Sequence, residues 1–203
     1  MEAALFGSVF VTLFVIMDPF GIIPVFLGAV GSRPAHEVKR LAWQAALTSL
    51  VLITIFALFG DWILDYLNIS LPALRVAGGL LLLLVSLQLL TSGTVASVNT
   101  DDAANVALVP LGTPLLAGPG AIVAAILFVR EASVPAEYVA IAAAIVAIHI
   151  VIWLAMRFST GILKLLRPAG VTVLSRIAGL LLAAIAVQLV ADGIYEFIMT
   201  WQE

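Results

Sequence analysis

The sequence predicts an all-α, polytopic membrane protein with six transmembrane helices in two inverted three-helix repeats, helices 1 and 4 being broken at mid-membrane. Three observations predict this fold: the composition, six long apolar segments, and a repeat with an offset of 100 residues. The 203 residues are 64% hydrophobic and 10% charged, with a mean hydropathy of +1.23. A soluble domain is about 45–50% apolar and about 25% charged. The chain therefore belongs in a lipid bilayer.

Charge and cysteine content exclude other classes. The net charge of −3 and the lack of a long basic run argue against nucleic-acid binding. The chain has no cysteine, which rules out disulfides and thiolate metal sites. Met1 and Glu2 lead directly into apolar residues with no positive region, so we expect a retained first helix rather than a cleaved signal peptide.

Six apolar segments are long enough to cross a bilayer, which takes roughly 20 residues. They run Ala3–Val30, Ala42–Leu64, Leu71–Thr91, Ala104–Val129, Ala136–Phe158 and Thr172–Tyr195. Polar stretches separate them and predict loops at Ser32–Arg40, Asp65–Ser70, Ser92–Asp102, Arg130–Pro135 and Ser159–Gly170.

Lysine and arginine are unevenly distributed between the two predicted faces. Seven lie in or beside loops one and five: Arg33, Lys39, Arg40, Arg157, Lys164, Arg167 and Arg176. The opposite face has only Arg75 and Arg130. Cytoplasmic loops carry the excess of positive residues. This distribution predicts loops one, three and five in the cytoplasm and both termini outside it.

The two halves of the chain share a pattern at an offset of 100 residues. The matched positions are Gly79 and Gly179, Gln88 and Gln188, Gly93 and Gly193, and Asp18-Pro19 and Gly118-Pro119. Because each half holds three spans, the second half must enter the membrane in the opposite sense. We therefore expect repeats at 1–100 and 101–203, an arrangement typical of secondary transporters.

Both repeats contain a helix break. In the first segment it is Asp18–Pro24, and in the fourth it comprises Pro110, Pro114 and Gly118–Gly120. Unpaired backbone groups cost several kcal/mol in lipid, so broken helices survive only where they line a protein-enclosed or watery cavity. Two matching breaks thus predict one internal site.

The first break carries a negative group. We expect Asp18 to be the N-cap and Pro19 the first residue of a restarted helix, and an intramembrane carboxylate is by default a functional candidate. Gly21 would let a ligand or another backbone approach closely. Pro24 has no N–H, which frees the carbonyl of Phe20.

The second break has glycine in place of the aspartate. Gly118 offers no side-chain acceptor, so the amides of Gly120 and Ala121, after Pro119, are expected to be bare donors at a helix N-terminus, which suits a carboxylate. With Asp18 on the other side of one cavity, the pair matches a small zwitterion.

Other polar residues admit two interpretations each. Gln88 and Gln188 are expected to be buried with partners, either clamping unwound backbone or contacting substrate. Thr113 and Thr12 have the same two interpretations. His149 either bonds a neighbouring helix or relays protons for coupling. Grouped acid–base residues at depth are lacking, which argues against an enzyme.

Two motifs resemble one known family. Met17–Phe26 reads MDPFGIIPVF and Val109–Ile122 reads VPLGTPLLAGPGAI, and together they are similar to the paired motifs of the MarC family, across nearly the whole chain. Gly112-Thr113 departs from the more usual small or aliphatic residues. The resemblance implies a six-helix inner-membrane protein of bacteria or archaea. It also implies transport, since uptake of glycine and alanine is attributed to some members.

The expected function is therefore transport of a small neutral amino acid, with a proton or sodium ion as coupling ion and no metal or organic cofactor. The rival predictions are an exporter of bulkier compounds such as drugs or metabolites, a channel, and a non-transport membrane protein of the MarC type such as a structural assembly factor. A homo-oligomer is compatible with the sequence.

Overall fold

A computed structural model describes residues 2–31, 33–92 and 116–200, and these form helices without strands. The helices are α1 (Glu2–Met17), α2 (Ile22–Val30), α3 (Ala35–Tyr66), α4 (Leu71–Ser92), α5 (Pro119–Glu131), α6 (Pro135–Arg157) and α7 (Ser159–Thr200). Of the residues singled out above in the repeat and the second break, Gly93, Pro110, Gly112, Thr113 and Pro114 lie outside the described ranges.

Four helices, α3, α4, α6 and α7, are long and apolar enough to cross a membrane, and the pair α1–α2 makes a fifth span if it is counted as one broken helix. The predicted polytopic, all-α class is confirmed at this level. The fourth predicted segment, Ala104–Val129, is described only from residue 116 onward, where α5 supplies 13 residues.

The predicted break in the first segment is confirmed. Between α1 and α2 the helix axis bends by 50°. Pro19 cannot donate to the carbonyl of Val15, and Asp18 adopts a positive φ of 38° that ends α1.

Two predicted loops are wrong, because helix extends into them. Helix α3 begins at Ala35 rather than Ala42, directly after Pro34, whose extended conformation precedes the first turn. In the last loop, Ser159–Gly170 is helical apart from Arg167 (φ 58°, ψ 162°), which precedes Pro168. A proline disfavours helical geometry in the residue before it, so α7 kinks there instead of ending.

Helix α7 packs most extensively on α4, through reciprocal contacts. A Cβ on Gly79 would lie 2.8 Å from the carbonyl oxygen of Ala186 and 2.7 Å from Val190. A Cβ on Gly179 would lie 3.2 Å from the carbonyl oxygen of Ser86 and 2.9 Å from Leu89. Small residues at such positions let two membrane helices approach closely. The two glycines are 100 residues apart, and so are Ser86 and Ala186, whose carbonyls they approach.

The apolar core fills the space between α1, α2, α3 and α6. Its largest fully buried side chains include Leu13, Phe26, Ile53, Ile148 and Ile152. A smaller cluster, built on Leu82, Leu89, Leu182 and Ala186, joins α4 to α7 and includes Val15 of α1. The last turns of α1 therefore lie between the two clusters, which places the first break inside the protein.

Candidate functional site

The first break leaves backbone groups unpaired. Asp18 still donates its N–H to the carbonyl of Phe14 (3.1 Å), and Ile22 donates to the carbonyl of Asp18 (3.1 Å). Pro19 has no N–H, and within the described residues the amides of Phe20 and Gly21 donate to no backbone carbonyl. The carbonyls of the last turn of α1 and the amides of Phe20 and Gly21 thus have no backbone partner among the described residues.

Asp18 does not cap the restarted helix in the predicted way. The N-cap of α2 is Gly21, with helical backbone angles and no side-chain hydrogen bond. The expectation fails because α1 continues through Met17 and Asp18 terminates it. The Asp18 carboxylate instead lies over Gly21, where a Cβ would collide with it.

A residue that the sequence analysis missed, Ser175 of α7, completes this group. The Asp18 carboxylate faces the Ser175 hydroxyl and the amides of Phe20 and Gly21. Asp18 is 6% exposed and Ser175 is fully buried. Neither Oδ2 of Asp18 nor Oγ of Ser175 forms a hydrogen bond of standard geometry with the described residues. Buried polar atoms without partners are uncommon and call for an explanation.

The second break begins α5. Gly118 is extended (φ −61°, ψ 160°) and precedes Pro119 at the first helical position. The amide of Ala121 donates to the carbonyl of Gly118 (3.0 Å), so the expectation of a bare Ala121 donor is wrong. The first turn tightens to use that amide. The amide of Gly120, however, has no backbone acceptor within the described residues.

Both breaks line one cavity of about 90 Å³. A single water needs about 10–15 Å³, so there is room for several waters or one small solute. The first break contributes Asp18 and Gly21, and the second contributes Gly118, Pro119, Gly120 and Ala121. Apolar side chains form the remaining wall: Ile16, Met17, Ile22, Val25, Leu82, Val85, Leu89 and Leu116.

Gly120 also fixes how closely the second break approaches α4. A Cβ at this position would collide with Leu82 and lie 3.6 Å from Ile16. Pro19 and Pro24 do not line the cavity: Pro19 is buried and Pro24 is half-buried. The two prolines therefore shape the backbone of the break.

The two glutamines lie outside this cavity, and the expectation that they are buried is wrong. Gln88 and Gln188 are exposed, and Gln188 Nε2 donates to Asp192 Oδ1 at 2.7 Å. The helix faces that meet carry Gly79, Leu82, Ser86 and Leu89 on α4. Gln88 precedes Leu89 by one residue, which turns it about 100° away from that contact.

His149 lies on α6 against α3, not at the cavity. Its Nδ1 donates to the carbonyl oxygen of Ile145 (2.7 Å) and its Nε2 lies 3.1 Å from Ser49 Oγ. Since Nδ1 is the donor, a neutral ring accepts at Nε2 from the hydroxyl. Both ring nitrogens are thus occupied within the helix packing.

A second, larger cavity of about 430 Å³ adjoins the first and shares Ile16 with it. Its polar lining is Thr12, Arg75, Glu131, Gln188 and Asp192. We call it the outer cavity. The side chain of Ile16 therefore separates Thr12 and Gln188 from the cavity between the breaks.

Arg75 organises one end of the outer cavity. It donates to Glu131 Oε1 (2.6 Å) and to Glu196 Oε1. These contacts join the start of α4 to the end of α5 and the last turns of α7. The side chain of Arg75 is only 13% exposed, so its charge is balanced by the two carboxylates.

The fold and the site together define an integral membrane protein in which one broken helix and the N-terminus of α5 enclose a small, mostly apolar cavity with one acidic wall. The MarC family integral membrane protein model matches residues 3–198. The chain belongs to the MarC family.

Similar proteins carry names that describe location and not activity. A UPF0056 membrane protein of Methanocaldococcus jannaschii is 36% identical, covering 96% of this chain and 98% of that protein. A UPF0056 membrane protein of Aquifex aeolicus is 32% identical, covering 94% and 92%. The family therefore extends to archaea and bacteria. No solved structure matches the chain.

Proposed function

We propose that the protein is a secondary transporter of small neutral amino acids, such as glycine or alanine, coupled to a proton or sodium gradient. The observation that carries the proposal is that Asp18 and Gly21 line the same cavity as Gly118–Ala121. Transporters of several folds bind substrate between discontinuous helices near the middle of the membrane.

The electrostatics of the cavity favour a zwitterion. Asp18 supplies a negative group for an ammonium or for a coupling cation. The Gly120 amide, which has no backbone acceptor among the described residues, and the N-terminus of α5 supply a donor and the positive end of a helix dipole for a carboxylate. Apolar groups such as Leu82 and Val85 complete the wall. A short aliphatic side chain would fit against them.

Cavity size favours a small solute over a drug. Pockets for drug-sized ligands measure roughly 300–1,000 Å³, while the cavity between the breaks measures about 90 Å³. The outer cavity, at about 430 Å³, falls within the range for drug-sized ligands. Export of bulkier compounds through that cavity is therefore the second candidate function.

The proposal includes the wider arrangement expected from sequence. Six spans form two inverted repeats, a reading supported by the reciprocal packing of Gly79 and Gly179. The protein would lie in the cytoplasmic membrane with both termini outside, act without metal or organic cofactor, and catalyse no covalent reaction. Amino acid and lipid are its expected partners.

Uptake into proteoliposomes tests the function. Purified protein is reconstituted, and labelled glycine, alanine and serine are offered with an imposed proton or sodium gradient. We expect saturable, gradient-driven accumulation of at least one of the three. Asp18→Asn should abolish it, whereas Asp65→Asn, a carboxylate change at an exposed position on α3, should leave it unchanged.

Two results would contradict the proposal. Equal accumulation by wild type and Asp18→Asn would remove Asp18 from the mechanism. A failure to accumulate any of the three amino acids, in vesicles where the protein is folded, would favour the second candidate and direct the search to larger solutes.

A further inference from the structure

The last turn of α1 presents three carbonyls to the break with no backbone donor. Val15 loses its donor because residue 19 is proline. Ile16 and Met17 lose theirs because the amides of Phe20 and Gly21 donate to no carbonyl in the described part of the chain. A helix C-terminus carries the negative end of the dipole, equivalent to about half an elementary charge. This end of the cavity therefore attracts positive charge.

Two side-chain oxygens lie close to each other at the same helix break. Oδ2 of Asp18 and Oγ of Ser175 are both buried and face each other, but neither forms a hydrogen bond of standard geometry within the described residues. They converge on one point: a Cβ on Gly21 would collide with the Asp18 carboxylate and lie 3.0 Å from Ser175 Oγ. The absence of a side chain at residue 21 lets the Asp18 carboxylate and the Ser175 hydroxyl approach each other there.

Among the described residues, no positive side chain lines the cavity beside this group. Of the described residues that line the cavity, Asp18 is the one with a charge or a titratable group. From α7, the neighbour of Ser175 is Arg176, which is exposed and does not line the cavity. From α6, His149 is bonded to Ile145 and Ser49. An ionised carboxylate buried without a positive partner is costly.

We propose that Asp18, Ser175 and the terminal carbonyls of α1 form a binding site for one monovalent cation, either a sodium ion held by these oxygens or a proton held by the carboxylate. Oxygen ligands are the ones that hard cations prefer, and unwound carbonyls at half-helix C-termini hold coupling ions in other transporters. Its role as the coupling-ion site rests on the proposed function; cation binding itself does not.

The site would link the broken helix to α7. Ser175 lies in the segment of α7 that follows the kink at Arg167, and Gly179, Leu182 and Ala186 continue the same buried face toward α4. A cation that bridges Asp18 and Ser175 would therefore hold α7 against the break, and its release would free the two elements to separate.

Thermal unfolding of the purified protein tests binding without any substrate. A ligand that binds only the folded state raises its stability with the logarithm of concentration. The unfolding temperature is measured by tryptophan fluorescence as NaCl replaces choline chloride at constant ionic strength, and again across a pH series without sodium. The probes are thus the sodium ion and the proton alone.

If sodium binds, we expect NaCl to raise the unfolding temperature of the wild type. Asp18→Asn and Ser175→Ala should then need at least about tenfold more NaCl for the same rise in unfolding temperature. The reason is that a hydrogen bond or ligand contact to a charged group is worth about 1.5–3 kcal/mol. If the proton binds, sodium should have no effect, and the pH dependence of unfolding should differ between wild type and Asp18→Asn. Either pattern supports the proposal.

Matched variants separate binding from packing. Ser86→Ala removes another fully buried serine, whose hydroxyl is bonded to the Leu83 carbonyl, and should leave the cation response unchanged. Ser175→Thr keeps the hydroxyl and should restore what Ser175→Ala loses. If Asp18→Asn does not fold, the comparison of Ser175→Ala with Ser175→Thr tests the proposal in its place.

The proposal would be overturned if NaCl did not change the unfolding temperature of the wild type and if the wild type and Asp18→Asn showed the same pH dependence of unfolding. Because no amino acid is present, that result is independent of uptake. Cation binding without uptake would instead count against the proposed transport function alone.

Discussion

Ser49 and His149 are hydrogen-bonded to each other, with 3.1 Å between Oγ and Nε2, and they are 100 residues apart. In a two-fold arrangement, equivalent residues touch only where they lie on the axis. Gly79 and Gly179 make reciprocal contacts across α4 and α7. Both relationships support an internal pseudo-two-fold between the halves of the chain.

The Ser49–His149 bond predicts a structural role for the histidine. Ser49→Ala should lower the free energy of unfolding by roughly 0.6–1.7 kcal/mol, the range for interhelical hydrogen bonds in membranes. Transport should keep its coupling ion and its pH profile. The measurement is unfolding of the variant in parallel with uptake at several pH values. A shifted pH profile at unchanged stability would make His149 a proton relay.

The α4–α7 contact predicts a graded response to added methyl groups. Gly79→Ala and Gly179→Ala should each destabilise the protein by about 1–3 kcal/mol through overpacking. The effect of Gly79→Ala should be larger, because its Cβ meets a backbone carbonyl at 2.8 Å against 3.2 Å for Gly179.

Gly7→Ala is the matched control for this pair, since nothing lies within 4 Å of its added Cβ. Thermal unfolding of the four proteins compares them. Equal stability of all four would show that α4 and α7 do not pack as described.

Gly21 is predicted to be required for function rather than for folding. Its backbone angles (φ −66°, ψ −27°) suit alanine, yet a Cβ would displace the Asp18 carboxylate. Gly21→Ala should therefore fold and lose uptake. Gly28→Ala, also in the α1–α2 segment but with open space around its Cβ, should keep both. Normal uptake by Gly21→Ala would contradict the placement of the carboxylate.

Arg75 is predicted to hold three helices together. Arg75→Gln leaves the carboxylates of Glu131 and Glu196 without their common partner and should destabilise the protein by about 1.5–3 kcal/mol. Arg130→Gln, which removes a longer and more exposed pair with Asp61 at 3.5 Å, should cost less than about 1 kcal/mol. Similar losses for the two variants would argue against this role.

The helix break was predictable from sequence because it depends on local chemistry. Pro19 lacks an N–H wherever it stands, and an aspartate in an apolar helix is costly. The position of the cap was not predictable, since it depends on whether Asp18 ends the first helix or begins the second. Helix α1 packs against α6 and continues to Met17, so Asp18 ends the first helix and does not begin the second.

Ser175 and the glutamines show what the matched repeat positions alone could not settle. Gln88 and Gln188 stand at matched positions, but their direction depends on which face of α4 meets α7. The small residues give that face: Ser175, Gly179 and Ala186 are spaced by four and seven residues, one side of a helix. That spacing places Ser175 on the packed face of α7 and indicates that the glutamines point away from the contact between α4 and α7.

Cysteine protection tests the shared cavity most directly, because the chain has no cysteine of its own. Val25→Cys and Ala121→Cys place one thiol beside each break, at positions that line the cavity, and Tyr66→Cys serves as an exposed control. The rate of reaction with a small thiosulfonate reagent is measured with and without alanine. We predict that alanine slows labelling at residues 25 and 121 to a similar degree and leaves residue 66 unchanged. Protection at one break without the other would contradict a single binding cavity between them.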